Sequence, residues 1–339
     1  MKFLHTADLH LDSAMESKLP PEKAKERRGE LLSAFSRISE KAEALGARAI
    51  IIAGDLFDRK KVSRRAMRFV LDTASRFDGI DFLVLSGNHD GFAFDDEALP
   101  NNFKLFSDET PFFDYENIRV TAYSDDASFD PSLVNIAVLH GGDGTDFDVN
   151  KLGGKNIDYL ALGHYHSYSS GKLDSRGVWC YSGCPAGRGL DECGEKGFIL
   201  VDIDGKSVSY EFIPLEGRSV VEIDADMSVG TSLSEQERIF EEALSGADRG
   251  NLVRLKIDGT FELGREKFYE HIAERYKNEF YYFEIKDVSR LKIDPEDYIN
   301  DVSLKGEFIR LVMKEMPEGE ERSRVISMGI KALRGESIE

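Results

Sequence analysis

Short apolar runs, each closed by a polar, glycine-rich turn, recur along the first 215 residues of the chain. Five of them matter most: Phe3-Leu4 and residues 49–53, 82–85, 136–139 and 159–162. Between the first three lie amphipathic stretches, about residues 22–45 and 63–77, of the kind that helical crossovers between neighbouring parallel strands require. Past His166 the pattern turns strand-like, at 178–181, 198–203 and 208–213, and Asp204-Gly205 between the last two is a hairpin signal. An α/β domain over residues 1–215 is the expectation.

A second unit begins near Gly217. Its predicted order is strand 220–223, helix 234–244, strand 252–257, helix 265–277 and strand 280–285, a small α/β unit over 217–288 that is too short for a core of its own without packing on the first. Residues 295–339 read as a helix pair broken at 317–319. Leu304, Phe308, Leu311 and Val312 line one face of its first helix, and Val325, Ile326, Gly329, Ile330 and Leu333 line one face of the second.

Composition narrows the class. A chain of 339 residues accommodates about two domains, and 41% hydrophobic with 32% charged residues excludes disorder on a large scale. The longest apolar run, near 49–53, is far short of the ~20 residues that cross a bilayer, so no membrane segment is expected. The chain enters a strand at once without a signal-peptide pattern, which places it in the cytoplasm. Cys180, Cys184 and Cys193 are odd in number and lack C-x-x-C spacing, so ordinary reduced thiols are expected. The net charge of −19 weighs against a nucleic-acid partner, because phosphate backbones are held largely by Lys and Arg. Two bound divalent ions would offset that charge locally.

The five runs end in Asp8-Leu9-His10, Gly54-Asp55-Leu56-Phe57-Asp58, Gly87-Asn88-His89-Asp90, His140-Gly141 and Gly163-His164-Tyr165-His166. All fall at strand carboxyl ends, where open α/β sheets build their sites. Five of the seven histidines sit in these motifs, which raises them above isolated turn residues. Carboxylate, imidazole and amide oxygen without thiolate suit Mn²⁺, Fe²⁺ or Zn²⁺ in an open site, with Mn²⁺ expected first. On an extended strand the two side chains of D-x-H, and of H-x-H, would point to one side.

The order D-x-H, G-D-x-x-[DH], G-N-H-[DE], H, G-H-x-H resembles the signature of calcineurin-like metallophosphoesterases. The wording A-D-L-H-L and G-D-L-F-D is similar to the SbcD-type DNA repair exonuclease branch, and within it to the YhaO-like proteins. The resemblance covers about residues 1–215 strongly and the remainder more weakly. It implies a four-layer sandwich of mixed sheets flanked by helices, a small α/β capping domain, and C-terminal helices that bind the coiled coil of an SbcC-like ATPase. It also implies DNA as substrate, two divalent ions, and a homodimer formed through helices of the nuclease domain. By the same resemblance Asp8, His10, Asp55 and His166 hold one ion, and Asp55, Asn88, His140 and His164 the other, with Asp55 as bridge. His89 faces the scissile phosphate, and Asp90 orients its imidazole. Asp58 departs from the archaeal and eukaryotic members, which carry a second His there.

Other residues have plainer readings. Asp12 and Asp58 are expected as turn or solvated carboxylates rather than ligands, His5 as packed or half exposed, and His271 as surface. Tyr165 and Tyr168 belong to core packing ahead of base stacking. Two further functions compete with the nuclease. One is a phosphodiesterase or phosphatase for a small nucleotide or other small phosphoester; the other is an interaction subunit with a vestigial site.

Overall fold

The computed structural model describes residues 1–15, 19–59, 62–87, 94, 97–141, 148–262, 267–292, 298, 300–317 and 319–333. Strand β1 (Lys2–Thr6) leads through helix α1 (Pro21–Leu45) to β2 (Ala47–Ala53), and α2 (Arg64–Arg76) leads to β3 (Asp81–Leu85). The three strands are parallel neighbours, β1 to β2 and β2 to β3, as helical crossovers dictate. Strand β4 (Phe103–Leu105) extends this edge in parallel. On the other edge β11 (Gly197–Asp204) pairs antiparallel with β1 and makes a hairpin with β12 (Ser207–Pro214). Gly205 turns that hairpin with φ of 60°, a conformation L-residues resist. The first sheet thus has the order β12-β11-β1-β2-β3-β4.

The second sheet is also mixed. Its strands are β5 (Phe112–Tyr115), β6 (Ile118–Ala122), β7 (Val134–His140), β8 (Tyr159–Gly163), β9 (Ser169–Lys172) and β10 (Val178–Tyr181), in the order β5-β6-β7-β8-β10-β9. The two sheets share a core of Phe3, Ala49, Ile51 and Leu83 with Val120, Ile136, Val138, Tyr159 and Ala161. Helices α1 and α2 cover the far face of the first sheet. Leu31, Phe35, Ile38 and Ala42 form the buried stripe of α1, and the Phe35 ring lies 5.7 Å from that of Phe82 on β3. Ile50, Ile51 and Ile52 are therefore fully buried on both faces. The far face of the second sheet, Leu160 and Leu162, packs against Phe129, Ile157 and the 3₁₀ turn Val149–Leu152, a thinner cover than helices give.

The chain divides into two compact units, Met1–Val220 and Val221–Glu339. In the second, β13 (Val220–Asp226), β14 (Leu252–Asp258) and β16 (Tyr282–Asp287) form a sheet with β14 central and parallel to β16. Helices α3 (Leu233–Leu244) and α4 (Tyr269–Tyr276) pack on it. Helix α4 begins four residues after the expected start at 265; 263–266 lie outside the described residues, and Lys267 and Phe268 are not helical. A parallel pair not expected from sequence, β15 (Thr260–Glu262) with β17 (Arg290–Lys292), follows the sheet. The unit buries a cluster in which Phe240, Tyr269, Tyr276, Phe280 and Phe283 pack between helices and sheet.

Helices α5 (Leu304–Glu315) and α6 (Glu320–Leu333) pair through Ile309, Val312, Ile326 and Ile330. The face expected on α5 is thereby rotated: Leu304 and Leu311 point to solvent, and Phe308 lies against Gly329, where a Cβ would meet its ring. No described helix is long and apolar enough to cross a membrane.

Candidate metal centre

Asp8 and His10 lie on the loop after β1, and residues 54–58 on the loop after β2; Gly87 follows β3, His140 ends β7, and Gly163 ends β8 with His164 and His166 just beyond it. The loops after β1 and β2 are zipped together by backbone hydrogen bonds. Asp8 N donates to Gly54 O (3.1 Å), His10 N to Asp55 O (3.0 Å), Leu11 N to Leu56 O (2.9 Å) and Asp58 N to Leu11 O (3.0 Å). Leu9 and Leu11, which alternate with Asp8, His10 and Asp12, and the adjacent Leu56 and Phe57 are buried, which anchors each turn.

This is not extended strand. Asp8 (φ 52°), His10 (φ 44°), Asp55 (φ 50°) and His164 (φ 108°) all have positive φ. The expectation that D-x-H and H-x-H present both side chains on one strand face is corrected accordingly. Asp8 and His10 do converge, through successive left-handed turns, while His164 and His166 face different neighbours. Such conformations cost of order 1–3 kcal/mol each and persist where surrounding structure enforces them. The motif glycines have a related steric reason. A Cβ on Gly54 would collide with the His140 ring, one on Gly87 with Asp55, and one on Gly163 with Ala53 O and His140.

Donor atoms of Asp8, His10 and His166 lie within 4.8 Å of one another, as do those of Asp8, Asp55 and His140. His10 Nε2 and His166 Nε2 are 3.1 Å apart, His10 Nε2 is 3.8 Å from Asp55 Oδ2, and His140 Nε2 is 3.3 Å from the same oxygen. The outward nitrogens are occupied by protein groups: His140 Nδ1 donates to Ala53 O (2.8 Å), and His166 Nδ1 lies 2.9 Å from Glu192 Oε1. The His164 amide donates to both oxygens of Asp8 (3.1 and 3.0 Å), and its ring meets the His140 ring edge-on with centroids 5.5 Å apart. His164 belongs to no three-residue donor group among the described residues. Asn88, His89 and Asp90 lie outside the described residues.

Electrostatics explain why these groups want a cation. Burial raises the Asp8 carboxyl above its usual range, against the pull of His140, the His164 amide, His166 and His10. Burial also works against protonation of His140, but Asp55, Asp8 and the Ala53 carbonyl together outweigh it and its pKa is raised. Two buried carboxylates and three imidazoles, whose Nε2 atoms face one another or Asp55, form a close donor set that fits divalent ions.

Two residues that sequence reasoning passed over adjoin this set. Glu192, buried, receives Arg188 Nε (2.9 Å), Nη2 (2.8 Å) and backbone N (2.7 Å) as well as facing His166. Burial opposes its charge, yet His166 and Arg188 hold its pKa well below the usual carboxylate range. The only sequence signal was an Arg and a Glu four residues apart in a glycine-rich loop. Asp58 is no solvated turn residue: its Oδ1 is 3.2 Å from His10 Nδ1 and 2.8 Å from Arg188 Nη1. Despite partial burial, His10 and then Arg188 lower its pKa. Asp12 likewise has a partner, accepting from Ser63 N and Oγ at 2.8 Å each.

The remaining candidates resolve simply. His5 is fully buried beside the Tyr159 hydroxyl (2.9 Å), and His271 is exposed. Tyr165 packs on Tyr181, and Tyr168 is 40% exposed and stacked on Phe212. The three cysteines are free thiols.

Several known proteins are similar to this chain. A metallophosphoesterase of Bacillus subtilis, YhaO, itself uncharacterised, is 29% identical over 245 residues, covering 62% of this chain and 60% of its own length. The DNA double-strand break repair protein Mre11 of Archaeoglobus fulgidus is 25% identical over 96% of this chain and 84% of its own. The structure of TT1561 of Thermus thermophilus covers 62% of this chain and 98% of its own, with 13% identity and a TM-score of 0.40. The profile of the calcineurin-like phosphoesterases matches residues 1–177 of the 339. On that match, and with donor atoms of Asp8, His10, Asp55, His140 and His166 brought together, the chain belongs to the calcineurin-like phosphoesterase family and is a metal-dependent phosphoesterase.

Proposed function

We propose that the substrate is DNA and that the chain is the nuclease subunit of a repair complex with an SbcC-like coiled-coil ATPase. The observation that carries this reading is the extent of similarity to the Mre11 repair proteins. It runs over 96% of this chain for the A. fulgidus protein and so extends well past the phosphoesterase motifs into the second unit. The exposed Leu304, Leu311 and Leu333 of the helix pair support a helical partner, and a dimer formed through the nuclease domain follows from the same resemblance.

In this reading Asp8, His10, Asp55 and His166 hold one divalent ion, and Asp55, Asn88, His140 and His164 the other, with Mn²⁺ as the expected metal. When bound, such a pair supplies a nucleophilic water at neutral pH and neutralises phosphoryl charge. Asp55, whose Oδ2 lies 3.8 Å from His10 Nε2 and 3.3 Å from His140 Nε2, would serve both ions. His89 donates to the phosphoryl or leaving 3′ oxygen, and Asp90 holds its ring.

The acidic balance of the chain, −19, favours a second reading, a phosphodiesterase or phosphatase for a small phosphoester. Hydrolysis of labelled linear DNA in Mn²⁺, run beside bis-p-nitrophenyl phosphate and with an Asp55→Ala control, separates the two. DNA cutting that falls at least a hundredfold in the variant supports the nuclease. Turnover of the small diester without DNA cutting, with or without an ATPase subunit, supports the alternative.

A further inference from the structure

His10 and His166 face each other across the candidate centre with their Nε2 atoms 3.1 Å apart. Behind them the chain closes a ring. His10 Nδ1 is 3.2 Å from Asp58 Oδ1, and His166 Nδ1 is 2.9 Å from Glu192 Oε1. One guanidinium joins the two carboxylates: Arg188 Nη1 reaches Asp58 Oδ1 at 2.8 Å, and its Nε and Nη2 reach Glu192 Oε1 at 2.9 and 2.8 Å. The two histidines alone are 156 residues apart in the chain.

We propose that Arg188, with Asp58 and Glu192, is a clamp that positions both histidines of one metal site while leaving the other site independent of it. This rests on the two-ion reading given above. An imidazole offers a lone pair at Nε2 only when its proton is on Nδ1, and an ionised carboxylate facing Nδ1 selects that tautomer. Two such carboxylates beside one centre repel each other unless a shared cation holds them. A guanidinium suits that role because its planar fork keeps its donors at fixed angles. His140, by contrast, is oriented by a backbone carbonyl, that of Ala53, and owes nothing to the clamp. Arg188 is a positioning residue rather than a phosphate binder: its Nε, Nη1 and Nη2 all donate to carboxylates, and its side chain is only 13% exposed. Asp58, at the position where other members carry His, then serves the metal site from behind.

Mn²⁺ titration of the metal-free protein by calorimetry, without substrate, tests this. Native protein is expected to bind two ions. Arg188→Gln and Asp58→Asn should each weaken the same one of the two sites by tenfold or more and leave the other within threefold. In the Arg188→Gln protein the Mn²⁺ concentration for half-maximal hydrolysis should rise by a similar factor, with kcat recovering at saturating metal and KM unchanged. Unchanged metal binding with a raised KM would make Arg188 a substrate contact and overturn the clamp. Equal weakening of both sites, or a loss of helical circular dichroism in both variants, would reduce it to general structural support. Failure of the native protein to bind two ions would instead remove the two-ion reading.

Discussion

Asp8, His10, Asp55 and His164 share a backbone property that their identities only hint at, a positive φ beside a strand end. Asp and His tolerate that region better than β-branched residues, so the side chains that carry the chemistry also permit the turns that aim them. Histidine usage made most of the centre readable residue by residue, whereas Glu192 and Arg188 were not readable. Their partners lie at Asp58 and His166, 130 and 26 residues away for the contacts that matter, and no local pattern encodes such a pairing. His5 offers a test at this scale. Burial lowers its pKa from 6.5 to about 3, partly offset by the Leu162 backbone. The unfolded chain therefore binds a proton in this range that the folded chain refuses. The stability from keeping His5 neutral is complete above pH 6.5 and is lost as pH falls toward 3. Between pH 6.5 and 5 the loss is about 2 kcal/mol. Urea denaturation at the two pH values should show His5→Asn losing that much less than native protein; parallel losses would mean that His5 is not the group responsible.

Among elements, the crossover helices were the most legible, since apolar residues at helical spacing between two short apolar runs leave few alternatives. The structure added how the second helix is tied to the site. Ser63 caps α2, accepting from Ala66 N at 3.2 Å, while its own N and Oγ donate to Asp12 on the loop that carries His10. Ser63→Ala should lower the unfolding free energy by about 1 kcal/mol, the usual cost of an N-cap. Combining it with Asp12→Ala should cost less than the sum of the two, because the shared hydrogen bonds vanish in either variant. Full additivity in denaturant melts would show that Asp12 and Ser63 act separately. On α5 the expected stripe holds for Phe308 and Val312 but not for Leu304 and Leu311, which fit a helical stripe as well as the buried Ile309 does. Only the approach of α6, with Gly329 admitting Phe308, selects between them.

At the scale of the whole molecule the two units have separate buried clusters, one between the two six-stranded sheets and one around Phe240 and Tyr276. The single tryptophan of the chain, Trp179 on β10, lies in the first unit, so its fluorescence reports that unit alone. A ligand that binds only the folded form stabilises it by RT ln(1 + [L]/Kd), about 2.7 kcal/mol at a hundred times Kd. Mn²⁺ should accordingly raise the melting temperature followed by Trp179 by several degrees, and EDTA should reverse it. A second transition seen by far-ultraviolet circular dichroism should stay in place. A single transition that moves as one with metal would show that the units unfold together. The sequence by itself determined the two crossover helices of the first unit, the strands β1, β2, β3, β7 and β8 around and after them, and the family, because each rests on local periodicity and on residue types with few alternative uses; the short β4, β5, β6 and β9 carry no such pattern. The tertiary structure decided which carboxylates back which imidazoles, which apolar residues of the helix pair are buried, and that the ligand turns are left-handed rather than extended. Those outcomes depend on contacts between segments far apart in sequence, where the free energy of one residue is set by a neighbour that no window along the chain contains.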